Sequence, residues 1–414
     1  MHDYAGHPFP VELSKELANR GYDVIHAYFA GDRGPKGDLT PEVVSSHQLE
    51  FRALSIARPY SKTSLYRRRF DDVDYGRSIA RLIYSEKPDI VLSGNTPTES
   101  QEAVVRACAA VKSAFVYWMQ DFYSVAAASV LRKKLGWLGV PVSSYYQFLE
   151  RRQLERADAV VVITEDFIPL IKAGTTDHRK IFTIYNWGPS SYVQPLPKVN
   201  DWSRRHGFQN SFNFLYSGTL GLKHNPSILS TLAAAMTGKA NVIVASEGSG
   251  SVELARLKQA MRLDNLLLFP LQDFGDLPQV LATADVAIAL LEEDAGVYSV
   301  PSKVLSYLCS SRPILVSAPA KNLAARIVDR SNAGLVVDPR DADAFIRAAG
   351  VLFDDHTRRE EMGRRGSSFA MKNFSIGNVA NNFEGVFNYA LGRRSMELSS
   401  TAHRLVDRSF KRRQ

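Results

Sequence analysis

Short, nearly continuous apolar runs recur along this chain with helical stretches between them. After residue 200 they are FNFLYSG (212–218), NVIVAS (241–246), NLLLFP (265–270), DVAIALL (285–291), RPILVSA (312–318) and AGLVVD (333–338). A strand wetted on one face alternates apolar and polar side chains, whereas a strand apolar at every position is covered on both faces. Helices between consecutive strands supply the crossovers that parallel pairing needs. The same rhythm fills the first half, with helices at 8–20 and 71–86 and another from about residue 98. Its strands are 23–30, PDIVLSG (88–94), AFVYWM (114–119) and AVVVIT (159–164).

A polar, proline-containing passage, WGPSSYVQPLPKVND (187–201), separates the two series. At 414 residues the chain also exceeds one ordinary core. The expectation is an α/β protein of two doubly wound units, 1–190 and 200–375. The first unit opens on MHDYAGHPFP, which reads as loop, so its first strand is expected to be missing. Either the segment lies upstream of Met1 or the unit lacks it. Residues 396–414 read as a polar, basic tail that frays.

The formal charge of +8 favours an anionic partner. No base-stacking motif or DNA-binding signature accompanies it, so nucleic acid is not expected. The two cysteines, Cys108 and Cys309, sit in apolar helical runs and read as buried thiols in a reducing compartment. No run approaches the roughly 18 apolar residues of a spanning helix, and no signal peptide opens the chain. A cytoplasmic protein is expected.

Ligands of open parallel sheets collect at strand C-termini, where three loops carry suitable residues. In YSGTLGLKHNP (216–226), Gly218 and Gly221 allow close backbone approach around Thr219, and Lys223 precedes a helix, a combination that suits a diphosphate. The alternative is a tight turn with a solvated lysine. In ASEGSG (245–250), Glu247, followed by Gly248, could accept a hydrogen bond from a ribose or sugar hydroxyl, or be an acidic loop residue. In VPSKVL (300–305), Pro301 suits a first helical position, leaving the N–H groups of 302–304 to join Ser302 and Lys303 around an anion. A lysine hanging into solvent is the alternative there. Leu271 follows the strand NLLLFP and is placed to hold a flat ring by backbone contacts.

Taken in order, SGTLGLKHNP, EG, LFPLQDFGDLPQVLATADVAIALLEEDAG and VPSKVLSYLCSSRPILV resemble the donor half of a family 4 retaining glycosyltransferase of GT-B fold. WMQDFY, RRQLERADAVVVITEDF and TIYNWGP resemble its exopolysaccharide branch, of the colanic-acid type, and the resemblance spans about residues 1–390. It implies two Rossmann-like domains facing a cleft: an acceptor-binding domain first, a nucleotide-sugar domain second, and a helix at 376–395 packing back on the first. By position, Lys223 and Lys303 resemble diphosphate contacts, with Ser302 and Val304 beside the latter. Glu247 resembles a donor-cleft residue, and Asp121 stands where polar groups face the transferred sugar. The Gly6–His7 loop resembles one near the donor phosphates and acceptor, with Asn95 and Glu165 at the cleft mouth.

Two positions depart from the family pattern. Ser306 stands where the second glutamate of an E-x7-E pair is common; eight residues back is Tyr298, just after Glu292, Glu293 and Asp294. Thr219 replaces an arginine usual after the first glycine loop. Ribose recognition and charge compensation must then differ, or activity is lost.

The resemblance implies transfer with retention, the departing phosphate taking the acceptor's proton, and no metal or other cofactor. Asp72-Val73-Asp74 and Asp341-Ala342-Asp343 fit an Asp-x-Asp pattern, but both open helices, where acidic residues oppose the dipole. The nine histidines show no ligand spacing. Residues 122–152 mix apolar and aromatic side chains with Arg132, Lys133, Lys134, Arg151 and Arg152, which suits helices lying on an anionic membrane, with Trp137 and Leu138 entering the headgroups. Core helices with solvated basic faces are the alternative. The resulting expectation is a glycosyltransferase on the inner membrane face, adding a sugar from a nucleotide donor to a lipid-linked or growing glycan. Its rivals are a catalytically silent nucleotide-sugar binder or scaffold, and a GT-B sugar-nucleotide epimerase.

Overall fold

The computed structural model describes residues 1–4, 6–31, 37–39, 43–44, 47–56, 65–94, 96–124, 136–172, 177–221, 224–294 and 300–411, the last fifteen as backbone. Two sheets organise the chain. The first contains β1 (His2–Asp3), β2 (Val24–Phe29), β3 (Val43–Val44), β4 (His47–Leu54), β5 (Ile90–Gly94), β6 (Ala114–Met119), β7 (Ala159–Val162) and β8 (Ile181–Thr183). Their order is β3-β4-β2-β1-β5-β6-β7-β8, parallel except for the β3–β4 pair. The second contains β9 (Phe212–Ser217), β10 (Ala240–Ala245), β11 (Leu266–Phe269), β12 (Val286–Leu290), β13 (Ile314–Ser317) and β14 (Gly334–Val337). Its order, β11-β10-β9-β12-β13-β14, is that of a doubly wound Rossmann-type sheet.

The winding reverses beside β1 in one sheet and beside β9 in the other. A crevice opens at the carboxyl end of each reversal, because the flanking connections leave to opposite faces. The Gly6–His7 loop follows β1, and the Gly218–Thr219 loop follows β9. The fold therefore sets these two loops at the two switch points.

The place expected to lack a strand holds a short one. His2–Asp3 fills the central place, pairing in parallel with both β2 and β5. Two polar residues carry no periodicity, which is why the sequence reads as loop. Their polar groups are satisfied inside the sheet: His2 Nδ1 lies 3.0 Å from Ser93 Oγ, and its Nε2 lies 2.9 Å from the Tyr75 hydroxyl. Strands β4 and β8 are further additions that the apolar runs did not mark.

The chain returns to the first domain through the helix Ile376–Lys411, which takes in residues 396–411 of the segment expected to fray. Arg20, at the end of the helix Pro8–Asn19, clasps it, donating to Glu384 (2.8 Å), Asn381 (2.6 Å) and the Gly377 carbonyl (2.8 Å). Phe383 of that helix meets Trp118 edge-on at 5.0 Å, and Trp118 stacks on Trp187 at 6.0 Å and 7°. An aromatic plug made from three distant stretches thus closes the first domain where it meets the linker.

Candidate functional site

A cavity of about 350 Å³ lies between the two domains. The second domain contributes Gly218, Thr219, His224, Leu271, Ser302 and Lys303 to its lining, among others. Gly218 has φ +118°, a conformation that glycine tolerates and side chains rarely adopt. The Lys303 ammonium lies 3.5 Å from where a Gly218 Cβ would stand, so the lysine occupies the space that the missing side chain leaves. It also lies 3.5 Å from the centre of the Tyr216 ring, a cation–π contact that holds the charge against the wall of the cleft.

The short helix Lys303–Cys309 is anchored from beneath. The Tyr307 hydroxyl accepts from the Ser217 N–H at 3.0 Å and lies 3.2 Å from the Ser217 carbonyl, tying the helix to the last residue of β9. Burial pushes the Tyr307 phenol well above its ordinary range, so it stays a neutral donor and acceptor. This anchor fixes Lys303 relative to Gly218.

The first domain contributes His7, Gln120, Asp121, Asn186 and Trp187. Gln120 and Asn186 exchange amide hydrogen bonds at 2.6 and 3.2 Å, a flat polar rung beside Asp121. The linker is secured by Glu12 of the first helix, which accepts from Trp187 Nε1 at 2.8 Å and Ser191 Oγ at 2.6 Å. Burial raises the Glu12 carboxyl from its usual value, an effect those two donors oppose. Behind His7 lies Asp3, whose carboxylate accepts the His7 backbone N–H at 2.6 Å.

His7, Asp121, Gly218, Thr219, Leu271, Ser302 and Lys303 therefore share one cleft. Gly6 sits just behind it at φ +69°, turning the chain from β1 into His7. Several expected positions lie off the cavity lining. The Val304 N–H is engaged by the Pro301 carbonyl at 3.3 Å and its side chain is buried, because the helix starts at Lys303 with a tight turn across Pro301. Gly221 gives its N–H to His224 Nδ1 at 3.0 Å. Glu247 accepts the Leu220 N–H through its carbonyl at 2.8 Å, and a Cβ at Gly248 would meet the Leu220 carbonyl oxygen at 2.8 Å. Gly248 thus lets two loops touch. Glu165 is exposed and takes the Tyr185 hydroxyl at 2.6 Å, away from the cavity lining. Lys223 and Asn95 lie outside the described residues, as do Tyr298, Arg132, Lys133 and Lys134.

Sequence reasoning overlooked His224, Tyr307 and the Gln120–Asn186 pair. His224 follows directly on the lysine of LKHNP and Asn186 lies within TIYNWGP, so both stood inside motifs already singled out. Ser306, the departure from the acidic pair, lines the cleft, while Glu293 points to Arg340 at 3.3 Å. Asp341 caps its helix by accepting the Ala344 N–H at 2.7 Å, and Asp72 is buried 3.8 Å from Arg68.

Residues 8–187 match the family model of the glycosyl transferase 4-like domain, and residues 212–355 match that of glycosyl transferases group 1. The probable glycosyltransferase WbjE of Pseudomonas aeruginosa is 28% identical over 281 residues, spanning 64% of this chain and 66% of the relative. The putative colanic acid biosynthesis glycosyl transferase WcaI of Escherichia coli K12 is 25% identical, spanning 67% of this chain and 70% of the relative. The chain thus spans about two thirds of the length of these relatives. In three dimensions it is similar to Anabaena HepE, solved in complex with UDP and glucose, with a TM-score of 0.70 at 12% identity over 94% of this chain and 98% of that one. With each half matched by a glycosyltransferase model and two switch-point loops lining one interdomain cleft, the chain belongs to the family 4-like glycosyltransferases of GT-B fold, in the branch that includes the colanic-acid relative.

Proposed function

We propose that this protein transfers a sugar, with retention, from a nucleoside diphosphate donor to a lipid-linked or growing glycan in the making of a cell-surface polysaccharide. The observation that carries this reading is Lys303, braced by Tyr216 over side-chain-free Gly218, opposite His7 and Asp121 in one cleft. As the glycosidic bond breaks, negative charge gathers on the diphosphate, and a fixed ammonium stabilises it without reorganisation. The two relatives named for glycosyl transfer, and the UDP bound by HepE, support the donor class. Transfer needs no metal in this reading: the Asp-x-Asp carboxylates cap or brace helices, and the Lys303 ammonium faces the cleft where the leaving group would sit. Purified protein incubated with UDP-, GDP- and dTDP-hexoses, with and without a polyprenyl-diphosphate monosaccharide, is expected to release nucleoside diphosphate equally well in EDTA. Donor binding without turnover would favour a silent relative, the reading that Ser306 supports, and an isomerised donor would favour an epimerase.

Membrane attachment is part of the proposal. Trp137 is 80% exposed and Phe148 60%, with Val140, Val142 and Tyr145 exposed between them. Phe122 and Leu149 face the core instead, so among the described residues of the stretch one side is free to enter headgroups. No helix among the described residues is long and apolar enough to cross a membrane. Co-sedimentation with phosphatidylglycerol vesicles is expected to drop at least severalfold in a Trp137→Ala/Phe148→Ala double variant. Unchanged sedimentation would remove the membrane claim and leave the cleft reading intact.

A further inference from the structure

We propose that the Gln120–Asn186 amide pair selects the transferred sugar, holding a hydroxyl of a neutral hexose while that hexose is still attached to its nucleoside diphosphate. This inference rests on the glycosyl-transfer reading and assigns the sugar side of the same cleft.

The pair joins two strands that do not touch. Gln120 follows β6 directly, and Asn186 lies three residues past β8. Between them in the sheet runs β7, and Ile163, the residue just after β7, lines the cavity with both. The two side chains therefore span two strand spacings, about 10 Å, across the end of β7. The Asn186 amide donates to Gln120 Oε1 at 2.6 Å, and the Gln120 amide donates to Asn186 Oδ1 at 3.2 Å. Both backbones are pinned from below. Met119 is paired with Val162 of β7, and the Ile184 N–H donates to the Val162 carbonyl at 2.9 Å. Trp187, next after Asn186, stacks on Trp118, two residues before Gln120.

Each amide fixes the other. Turning either one over would set N–H against N–H and oxygen against oxygen, so the reciprocal arrangement is the one that satisfies both. In it each amide gives its partner one N–H and one lone pair and keeps one of each. Among the described residues neither amide has a second partner. On either edge of the rung, the spare N–H of one amide then stands beside the spare lone pair of the other. A hydroxyl donates and accepts through a single oxygen, so it fits such a couple. A phosphate oxygen only accepts, and would face the lone pair unpaired.

Charge narrows the ligand further. Among the described residues, the first-domain lining holds no lysine or arginine, and Asp121 adjoins Gln120. A uronate carboxylate on this wall would meet amide oxygens and an acidic neighbour with no Lys or Arg side chain to offset it. The second-domain wall carries Lys303 and takes the diphosphate, which leaves the opposite wall to the sugar.

Binding to the full-length protein tests this without any acceptor. The best-bound of the UDP-, GDP- and dTDP-hexoses is titrated calorimetrically beside its free nucleoside diphosphate, its uronate counterpart and its 2-, 3-, 4- and 6-deoxy analogues. Gln120→Met, which keeps length and volume, is expected to weaken the hexose donor about tenfold and to leave the free diphosphate within twofold, as loss of a hydrogen bond to the sugar alone requires. Asn186→Ala is expected to do the same, and the double variant no more than either, because the two amides act as a unit. One deoxy analogue is expected to bind the wild type about tenfold more weakly than its parent, and to bind Gln120→Met as well as the parent does. The uronate is expected to bind the wild type at least tenfold more weakly than the hexose. Equal weakening of the hexose donor and the free diphosphate would make the pair a structural brace and overturn the proposal. Unchanged donor binding in both variants would overturn it too, as would a wild type indifferent to every deoxy analogue or to the uronate. A wild-type protein that binds neither the free diphosphate nor any hexose donor would instead sink the nucleotide-sugar reading, and this assignment with it.

Discussion

Lys303→Ala is expected to lower turnover of the nucleotide sugar by about 10²- to 10³-fold, the size of effect seen when one preorganised charge-stabilising group is removed from an active site. The ammonium is held at 3.5 Å from both the Tyr216 ring centre and the Cβ position of Gly218, so nothing flexible stands ready to replace it. Lys303→Arg would not restore it fully, because a guanidinium is larger and planar and must fit a slot shaped by a ring on one side and a bare backbone on the other. Nucleoside diphosphate release, measured beside a thermal melt, separates a chemical defect from a folding one. A rate within threefold of wild type, in a folded variant, would remove Lys303 from the mechanism.

Gly188→Ala is expected to damage activity and stability together. A Cβ at this linker position would stand 2.6 Å from Cys309 Sγ and 2.7 Å from the Leu305 carbonyl oxygen. The sulfur could turn aside, but the carbonyl belongs to the helix that carries Lys303, so that helix would have to move. Overpacking of this kind costs about 1–3 kcal/mol. Displacing Lys303 by even part of an ångström would add a loss of turnover that the melt does not account for. A variant with wild-type melting and wild-type turnover would show that the helix and linker slide freely past one another.

The second domain was largely legible because its strands are apolar at nearly every position and each ends in a polar or glycine-bearing loop. The same logic located Gly218, Ser302 and Lys303, whose residue types advertise anion binding from one short stretch each. It failed where meaning depends on a distant partner. His2–Asp3 is a strand only because Ser93, Tyr75 and the neighbouring strands receive it. Val304 and Gly221 look like amide donors in sequence, but their N–H groups are spent on Pro301 and His224, a matter of turn geometry no spacing reveals. Tyr307 reads as one more apolar residue of a helix; its hydroxyl matters because β9 ends beneath it. Gly248, expected among the donor-binding positions beside Glu247, is where the Leu220 loop approaches the backbone, a contact no spacing reveals.

The returning helix alters how this molecule can be dissected. Residues 1–187 coincide almost entirely with one sequence module, yet that piece alone would leave Trp118 without Phe383 and Arg20 without its clasp. The polypeptide crosses from one lobe to the other twice, so the first lobe is not a contiguous gene fragment, whereas the second is. A screen seeking a free-standing amino-terminal half should fuse 376–395 to it, or co-express that segment as a separate peptide, before judging the half insoluble.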